Sequence, residues 1–341
     1  MQNYILKNEN AIYYECGYSC DNAIYMVLGN EAFFITDARY TIEAQLAVHH
    51  AQVIESKELI ITAQEIIKKA KVKKIIFDGT DFSFDAYFKL TQSLSTKFIN
   101  KPQFSMLKRA IKTNKEIKYL TKASKLGRKG FNLLAKYICK NGFHQDEKFL
   151  HFKAIEKLTQ MGKYELSFDP IVAINENSAK PHALPTNKKL EIDDLILIDA
   201  GVKYKRYCSD RTCTSTVNFE HLNFKRKQTF KNPKQQKIYD IVLKAQETAI
   251  NKAKSGMKAK DIDALARDII KKAGYEKFFV HSTGHGVGLD IHEHPFINTK
   301  NEVIIEDNMV FTIEPGIYLP NEFGVRIEDT IVMQNGRAVI L

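Results

Sequence analysis

Five residues stand out because their types and positions could hold a metal. Asp199 closes the apolar run Leu195-Ile-Leu-Ile198, and Asp210 lies eleven residues on, beside the next strand-like segment. That odd spacing is expected when a short turn brings two strand positions face to face, and the two carboxylates could share an ion. Glu314 follows Val310-Phe-Thr-Ile313 ahead of Pro315-Gly316, Glu328 follows Val325-Arg326-Ile327, and His285 sits inside Gly284-His-Gly-Val-Gly288. A carboxylate at the end of an apolar strand is costly unless it has a partner or a metal. Four carboxylates and an imidazole suit hard to borderline divalent ions such as manganese, cobalt or zinc, and two such ions would nearly balance four negative charges.

Taken singly, each residue has a blander role: a strand-end Asp is usually a turn or cap residue, and a lone His is usually hydrogen-bonded or solvated. The Gly-rich segment lacks the Lys-Ser/Thr of a phosphate loop and the six-residue GxGxxG frame, so it is not a nucleotide cradle. His281 and His285 are four apart, but three glycines between 284 and 288 argue against a zinc-binding helix. Neither Ser282 nor Cys208 has the local sequence of a nucleophile.

These residues need elements to carry them. Ala23–Leu28 and Ala32–Thr36 read as a hairpin over Gly29-Asn30, followed by a helical stretch from Asp37 to His49 and a short strand at Lys74–Asp78. Thr113 with Glu116 predicts a capping box, and a domain boundary is placed near residue 112, giving domains 1–112 and 113–341. Apolar residues recur at helical spacing over 116–138, 146–161, 237–254 and 260–272. Each helix pair is followed by strands, Leu195–Asp199 with Thr212–Phe219 and then Phe278–Leu341, which predicts an α+β second domain with helices on one face of its sheet.

Length and composition set outer limits. With 341 residues, 44% hydrophobic and 27% charged, the chain is neither disordered nor fibrous and has the length of about two domains. Its apolar runs are too short to span a bilayer, its N-terminus lacks an apolar export segment, and its five cysteines have no CxxC spacing, so a cytoplasmic protein with reduced thiols and no membrane partner is expected. Lys and Arg number 51 against 40 Asp and Glu, a net charge of +11. The densest basic run, Lys225, Arg226, Lys227, Lys231, Lys234 and Lys237, is interleaved with Phe224 and Phe230; it reads as a solvated surface insertion in preference to a nucleic-acid site.

The order Asp199, Asp210, His285, Glu314, Glu328 resembles that of the five metal ligands of the pita-bread metallopeptidases, the Xaa-Pro aminopeptidase and prolidase family. Phe34-Ile-Thr-Asp-Ala-Arg-Tyr40 resembles a segment of the family's N-terminal domain, and Asn177-Ser-Ala-Lys-Pro-His182 its substrate-histidine segment. Phe311 to Tyr318 and Arg326 to Thr330 resemble its last two ligand motifs. The resemblance implies a C-terminal pita-bread domain behind a smaller creatinase-like α/β domain. It also implies a pair of divalent ions, manganese first with cobalt or zinc as alternatives, sharing a bridging hydroxide.

Asp199 would hold one ion, His285 and Glu314 the other, and Asp210 and Glu328 both. Glu314 would be general base, His292 would bind the scissile carbonyl, and His182 would help with substrate and proton movement. His281 would contact substrate, and Arg326 would orient the bridging carboxylates. The substrates implied are peptides with proline at position two, and a homodimer is implied.

Family dipeptidases often carry an Arg just after the His-Glu-x-Pro segment, where this chain has Phe296. That difference favours an aminopeptidase over a prolidase. A second departure is Cys213, where relatives usually have Arg. A methionine aminopeptidase would lack the first domain, a creatinase-like relative would lack the ligands, and a non-catalytic binding protein on the same fold is the alternative from another class.

Overall fold

The computed structural model describes residues 2–218 and 222–341 and divides into two units, 1–109 and 110–341. The first contains β1 (Tyr4–Leu6), α1 (Glu9–Cys16), β2 (Ala23–Leu28), β3 (Glu31–Thr36), α2 (Thr41–Ala47) and β4 (Gln52–Glu55). It continues through α3 (Leu59–Ala70), β5 (Lys74–Phe77), α4 (Phe84–Thr91), β6 (Lys97–Asn100) and α5 (Phe104–Lys108). Its six strands form one mixed sheet in the order β4-β3-β2-β1-β5-β6. The β2–β3 hairpin turns on Gly29-Asn30, and Gly29 takes φ +63°, a left-handed value that costs glycine little. Alternate faces of the sheet are buried against separate apolar clusters, Ile24, Met26 and Ile35 on one side and Tyr25 and Phe34 on the other.

The second unit opens with α6 (Asn114–Asn141) and α7 (Glu147–Leu158). Thr113 and Glu116 close the capping box at the start of α6, the Thr113 hydroxyl accepting from the Glu116 N–H while the Glu116 carboxylate accepts from the Thr113 N–H. Then come β7 (Ile171–Ile174), β8 (Leu195–Asp199), β9 (Lys203–Tyr204), β10 (Tyr207–Cys208) and β11 (Thr212–Thr216). A second helix pair, α8 (Pro233–Lys252) and α9 (Ala259–Lys272), precedes β12 (Gly284–Gly286), β13 (Glu293–Ile297), β14 (Val310–Ile313), β15 (Gly316–Leu319), β16 (Phe323–Arg326), β17 (Asp329–Gln334) and β18 (Arg337–Ile340). The strands form antiparallel sheets, β11-β8-β7 and β13-β12-β14-β17-β18, with β9-β10 and β15-β16 as hairpins. Each helix pair covers one sheet: Phe131, Leu134 and Ile138 of α6 pack with Ile196 and Ile198 of β8, and Val242 and Ile262 pack with Phe311 and Ile331.

Register differs from the sequence expectation at two points. Asp199 faces Thr212 across the β8–β11 ladder, and Asp210 reaches in from the turn before β11, because the β9–β10 hairpin fills the connection. Glu328 lies between β16 and β17, where the chain passes from a hairpin into the five-stranded sheet. The expected strand end at Phe219 lies outside the described residues. Among the described residues the five cysteines are free, and no helix is long and apolar enough to cross a membrane.

A candidate metal centre in a histidine-lined cleft

Asp199, Asp210, His285, Glu314 and Glu328 converge from β8, the turn before β11, β12, the end of β14 and the β16–β17 junction. Close backbone approach makes this possible: a Cβ on Gly284 would lie 1.9 Å from the Thr312 carbonyl oxygen, and one on Gly286 would lie 2.2 Å from that of His294. The His285 Nδ1 donates to the Gly286 carbonyl at 3.1 Å, which leaves Nε2 as the free lone pair. That Nε2 is 3.3 Å from Glu314 Oε1 and 3.6 Å from Asp210 Oδ2. Donor atoms of Asp210, His285 and Glu328 all lie within 4.8 Å of one another.

The carboxylates are held on one side only. Thr212 donates to Glu328 Oε2 at 2.7 Å while its hydroxyl accepts from Arg326 Nε at 2.9 Å. Thr312 repeats the device, accepting from the His285 N–H and donating to Glu314 Oε1 at 3.1 Å. Arg326 Nη2 donates to Asp199 Oδ2 at 2.7 Å, and Nη1 donates to the Tyr318 hydroxyl at 2.8 Å. Asp199 Oδ1 and Glu328 Oε1 are buried with no hydrogen-bond partner among the described residues.

Burial, together with the facing carboxylates Glu328, Asp199 and Glu314, pushes the Asp210 carboxyl well above its ordinary range; burial and the same crowding do so for Glu328. Burial raises Glu314 as well, with His281 and Arg326 opposing the shift. Burial lowers His285, favouring the neutral imidazole that a metal needs. Orphaned oxygens, mutually raised carboxyls and a neutral imidazole with its lone pair aimed at them fit divalent cations bound by oxygen and nitrogen donors.

The carboxylate and histidine cluster opens into a cleft of about 520 Å³. His182, His281 and His292 line it, as do Phe168, Pro170, Ile171, Leu184, Ile291 and Phe296. The His292 ring meets that of His285 edge-on at 4.3 Å between centroids, and burial with His285 nearby lowers its pKa. His182 is exposed at the mouth. His281 differs from the other two: its Nδ1 donates to the Ser282 carbonyl at 2.8 Å and its Nε2 accepts from the Tyr318 hydroxyl at 2.8 Å, so both ring nitrogens are engaged within the protein. Burial pushes the Tyr318 phenol up to about 12, which keeps it a neutral donor between Arg326 and His281.

Sequence reasoning gave no role to Thr212, Thr312 or Tyr318. The two threonines carried a signal in their spacing: each stands two residues from a ligand, Asp210 or Glu314, and side chains two apart on a strand share a face. Three of the six cations in the basic run at 225–237 are paired, Arg226 with Asp329, Lys231 with Asp193 and Lys234 with Glu322. Phe224 and Phe230 there are core residues.

Residues 118–335 match the model of metallopeptidase family M24, and residues 1–109 match the creatinase/prolidase N-terminal domain. An Xaa-Pro dipeptidase from Pyrococcus furiosus is 41% identical over 229 residues, which is 67% of this chain and 62% of that protein. The solved structure of an Xaa-Pro dipeptidase from Bacillus anthracis superposes with a TM-score of 0.90 at 30% identity, covering 99% of this chain and 92% of the other. That of an X-Pro aminopeptidase from Thermotoga maritima has a TM-score of 0.86 at 30% identity, covering 100% and 95%.

Proposed function

This chain belongs to metallopeptidase family M24, with a creatinase-type N-terminal domain ahead of a pita-bread catalytic domain, and from that premise we propose that it hydrolyses the Xaa-Pro bond at peptide N-termini. The observation that carries this reading is the half-satisfied carboxylate cluster at the floor of the histidine-lined cleft. Asp199, Asp210, His285, Glu314 and Glu328 would hold two divalent ions, manganese being the first to test and cobalt and zinc the alternatives. Bound there, such ions lower the pKa of a water to give a nucleophile at neutral pH and offset charge on a carbonyl oxygen.

The protein's own groups do the rest. Glu314 Oε1 is tied to Thr312, which leaves Oε2 to take the proton of the attacking water. His292, neutral through burial, donates to the scissile carbonyl oxygen as it gains charge. His182, at the mouth, binds substrate and moves the proton to the leaving proline nitrogen. Arg326 fixes Asp199 and, through Thr212, Glu328. In this structure His281 supports that arrangement through Tyr318, and its edge-on ring remains part of the substrate wall. An X-Pro bond has no N–H for an extended-backbone grip, and the apolar wall of Phe168, Pro170, Ile171, Leu184, Ile291 and Phe296 suits a proline ring.

Chain length of the substrate divides two readings. Arg326 is the one permanent cation among the described residues lining the cleft, and its guanidinium is already bound by Asp199, Tyr318 and the Pro181 carbonyl. With Phe296 on the wall, this favours an aminopeptidase acting on peptides longer than two residues over one that must grip a dipeptide's free carboxylate. The dipeptidase names of the relatives favour a prolidase. Metal-restored cleavage separates them: a higher kcat/KM for Xaa-Pro-Yaa than for Xaa-Pro supports the first, the reverse supports the second, and no cleavage of either removes both. The family resemblance also implies a homodimer in the cytoplasm, and light scattering tests the assembly.

A further inference from the structure

The excess positive charge of the chain is not where its sequence is most basic. Along α6, Lys115, Lys118, Lys122, Lys125, Lys129, Lys136 and Lys140 are all exposed. Their successive spacings of three, four, three, four, seven and four residues keep them, at 3.6 residues per turn, on one stripe about 80° wide and about 37 Å long. Asn132 occupies the single gap. The only acid in the helix, Glu116, is buried and spent on the capping box.

Among the described residues none of these seven lysines forms an ion pair. Elsewhere several helical charges are paired, as in Asp85–Lys89, Lys153–Glu156 and Asp263–Arg267. Like charges three and four apart destabilise a helix, so a row of them with a single gap is not a neutral way to solvate a surface.

We propose that this face of α6 binds the phosphodiester backbone of a nucleic acid strand. A single row of point charges, about one helical turn apart except at one gap, matches a linear polyanion. The alternatives fit less well: the apolar side of α6, including Leu126, Phe131, Leu134 and Ile138, is buried in the core, so nothing apolar is left to enter a lipid surface. Lysine contacts phosphate as a point charge and does not read base edges in the bidentate manner of arginine, so the binding is independent of sequence. Half-buried Tyr119, with the Lys115 ammonium 6.0 Å from its ring centroid, and Tyr204, 5.9 Å from Tyr119, lie at the N-terminal end of the row. The surface is separate from the cleft and does not depend on the peptidase reading.

The test measures binding of the full-length protein to a fluorescent single-stranded RNA of about 20 nucleotides across a salt series. Anionic phosphatidylserine vesicles and polyglutamate serve as competitors. With all seven lysines engaged, log K falls against log salt with a slope of about −5. The variant K118Q/K122Q/K125Q/K129Q is expected to lose about three of those units and to bind at least about 10-fold more weakly. Its circular dichroism and its thermal unfolding midpoint should stay at the parent values, which shows that it is folded. A second variant, K225Q/K227Q/K231Q/K234Q, is expected to keep the parent slope.

Loss of RNA binding in the second variant but not the first overturns the proposal. So does RNA binding with an unchanged slope in the first variant, displacement by vesicles or polyglutamate more effective than by unlabelled RNA, or no binding to RNA at low salt.

Discussion

Two buried sets of carboxylates in the catalytic unit were solved in opposite ways. Glu147, fully buried on α7, has no cation against it among the described residues, yet its oxygens accept from the Ile174 N–H, the Asn177 amide, the Thr186 N–H and the Thr186 hydroxyl. It closes the segment carrying His182 at both ends. The cleft cluster packs Asp210, Glu314 and Glu328 together with Asp199, gives them two threonine hydroxyls and one guanidinium, and leaves Asp199 Oδ1 and Glu328 Oε1 bare. A buried carboxylate is tolerable when donors complete it. The first set is complete with protein donors alone; the second leaves oxygens that the proposed cations would complete.

Removing a member of each set separates the two cases. Asp210→Ala is expected to abolish metal loading and to lower metal-dependent hydrolysis by about 10³-fold or more; turnover near the parent level would break the assignment. His292→Ala tests the other side of the centre, since it touches no proposed ion: metal content should persist while kcat falls about 10²-fold, and a lost metal would move His292 into the ligand set. Glu147→Ala strands four donors and should cost about 3 kcal/mol of stability by denaturant unfolding, with the folded variant still loading metal. A metal-binding defect as large as that of Asp210→Ala would erase the contrast.

Smaller effects sharpen it. Thr212→Val removes the donor to Glu328 and the acceptor for Arg326, and is expected to weaken metal affinity about 10-fold in a competition titration. Acidity gives the gentlest probe. Asp210, Glu314 and Glu328 hold their protons more tightly in the folded chain than in the unfolded one, because of burial and, for Asp210 and Glu328, their neighbours. The unfolded chain therefore releases them first, and the chelated protein should lose stability as pH rises from the ordinary carboxylate range of about 4. Bound metal should flatten that dependence, and melting curves with the same pH slope in both forms would contradict it.

Most of the proposed ligands carried a local signal: Asp199 and Glu314 follow the apolar strands Leu195–Ile198 and Val310–Ile313, and His285 stands among glycines. Helices were legible from periodicity and caps, as at Thr113 and Glu116. What escaped was whatever depends on a distant partner. Tyr318 gains meaning only when Arg326 and His281 meet its hydroxyl, and Glu147 only when Thr186 folds back over it. Charge was legible only in part. The lysines at 225–237 are exposed, as expected of a solvated segment, and three of the six cations there meet Asp193, Glu322 and Asp329 from elsewhere in the chain, whereas among the described residues the lysines scattered along 115–140 line up unopposed on one helix face.

The central claim is that the cleft is a carboxylate cluster completed by cations. Its most direct test is calorimetric titration of the chelated protein with manganese, followed by assay of Xaa-Pro peptide cleavage on the same sample. About two ions should bind per chain, with cleavage restored as they bind and both lost in Asp210→Ala. Binding that is absent, or that survives intact in Asp210→Ala, would contradict it.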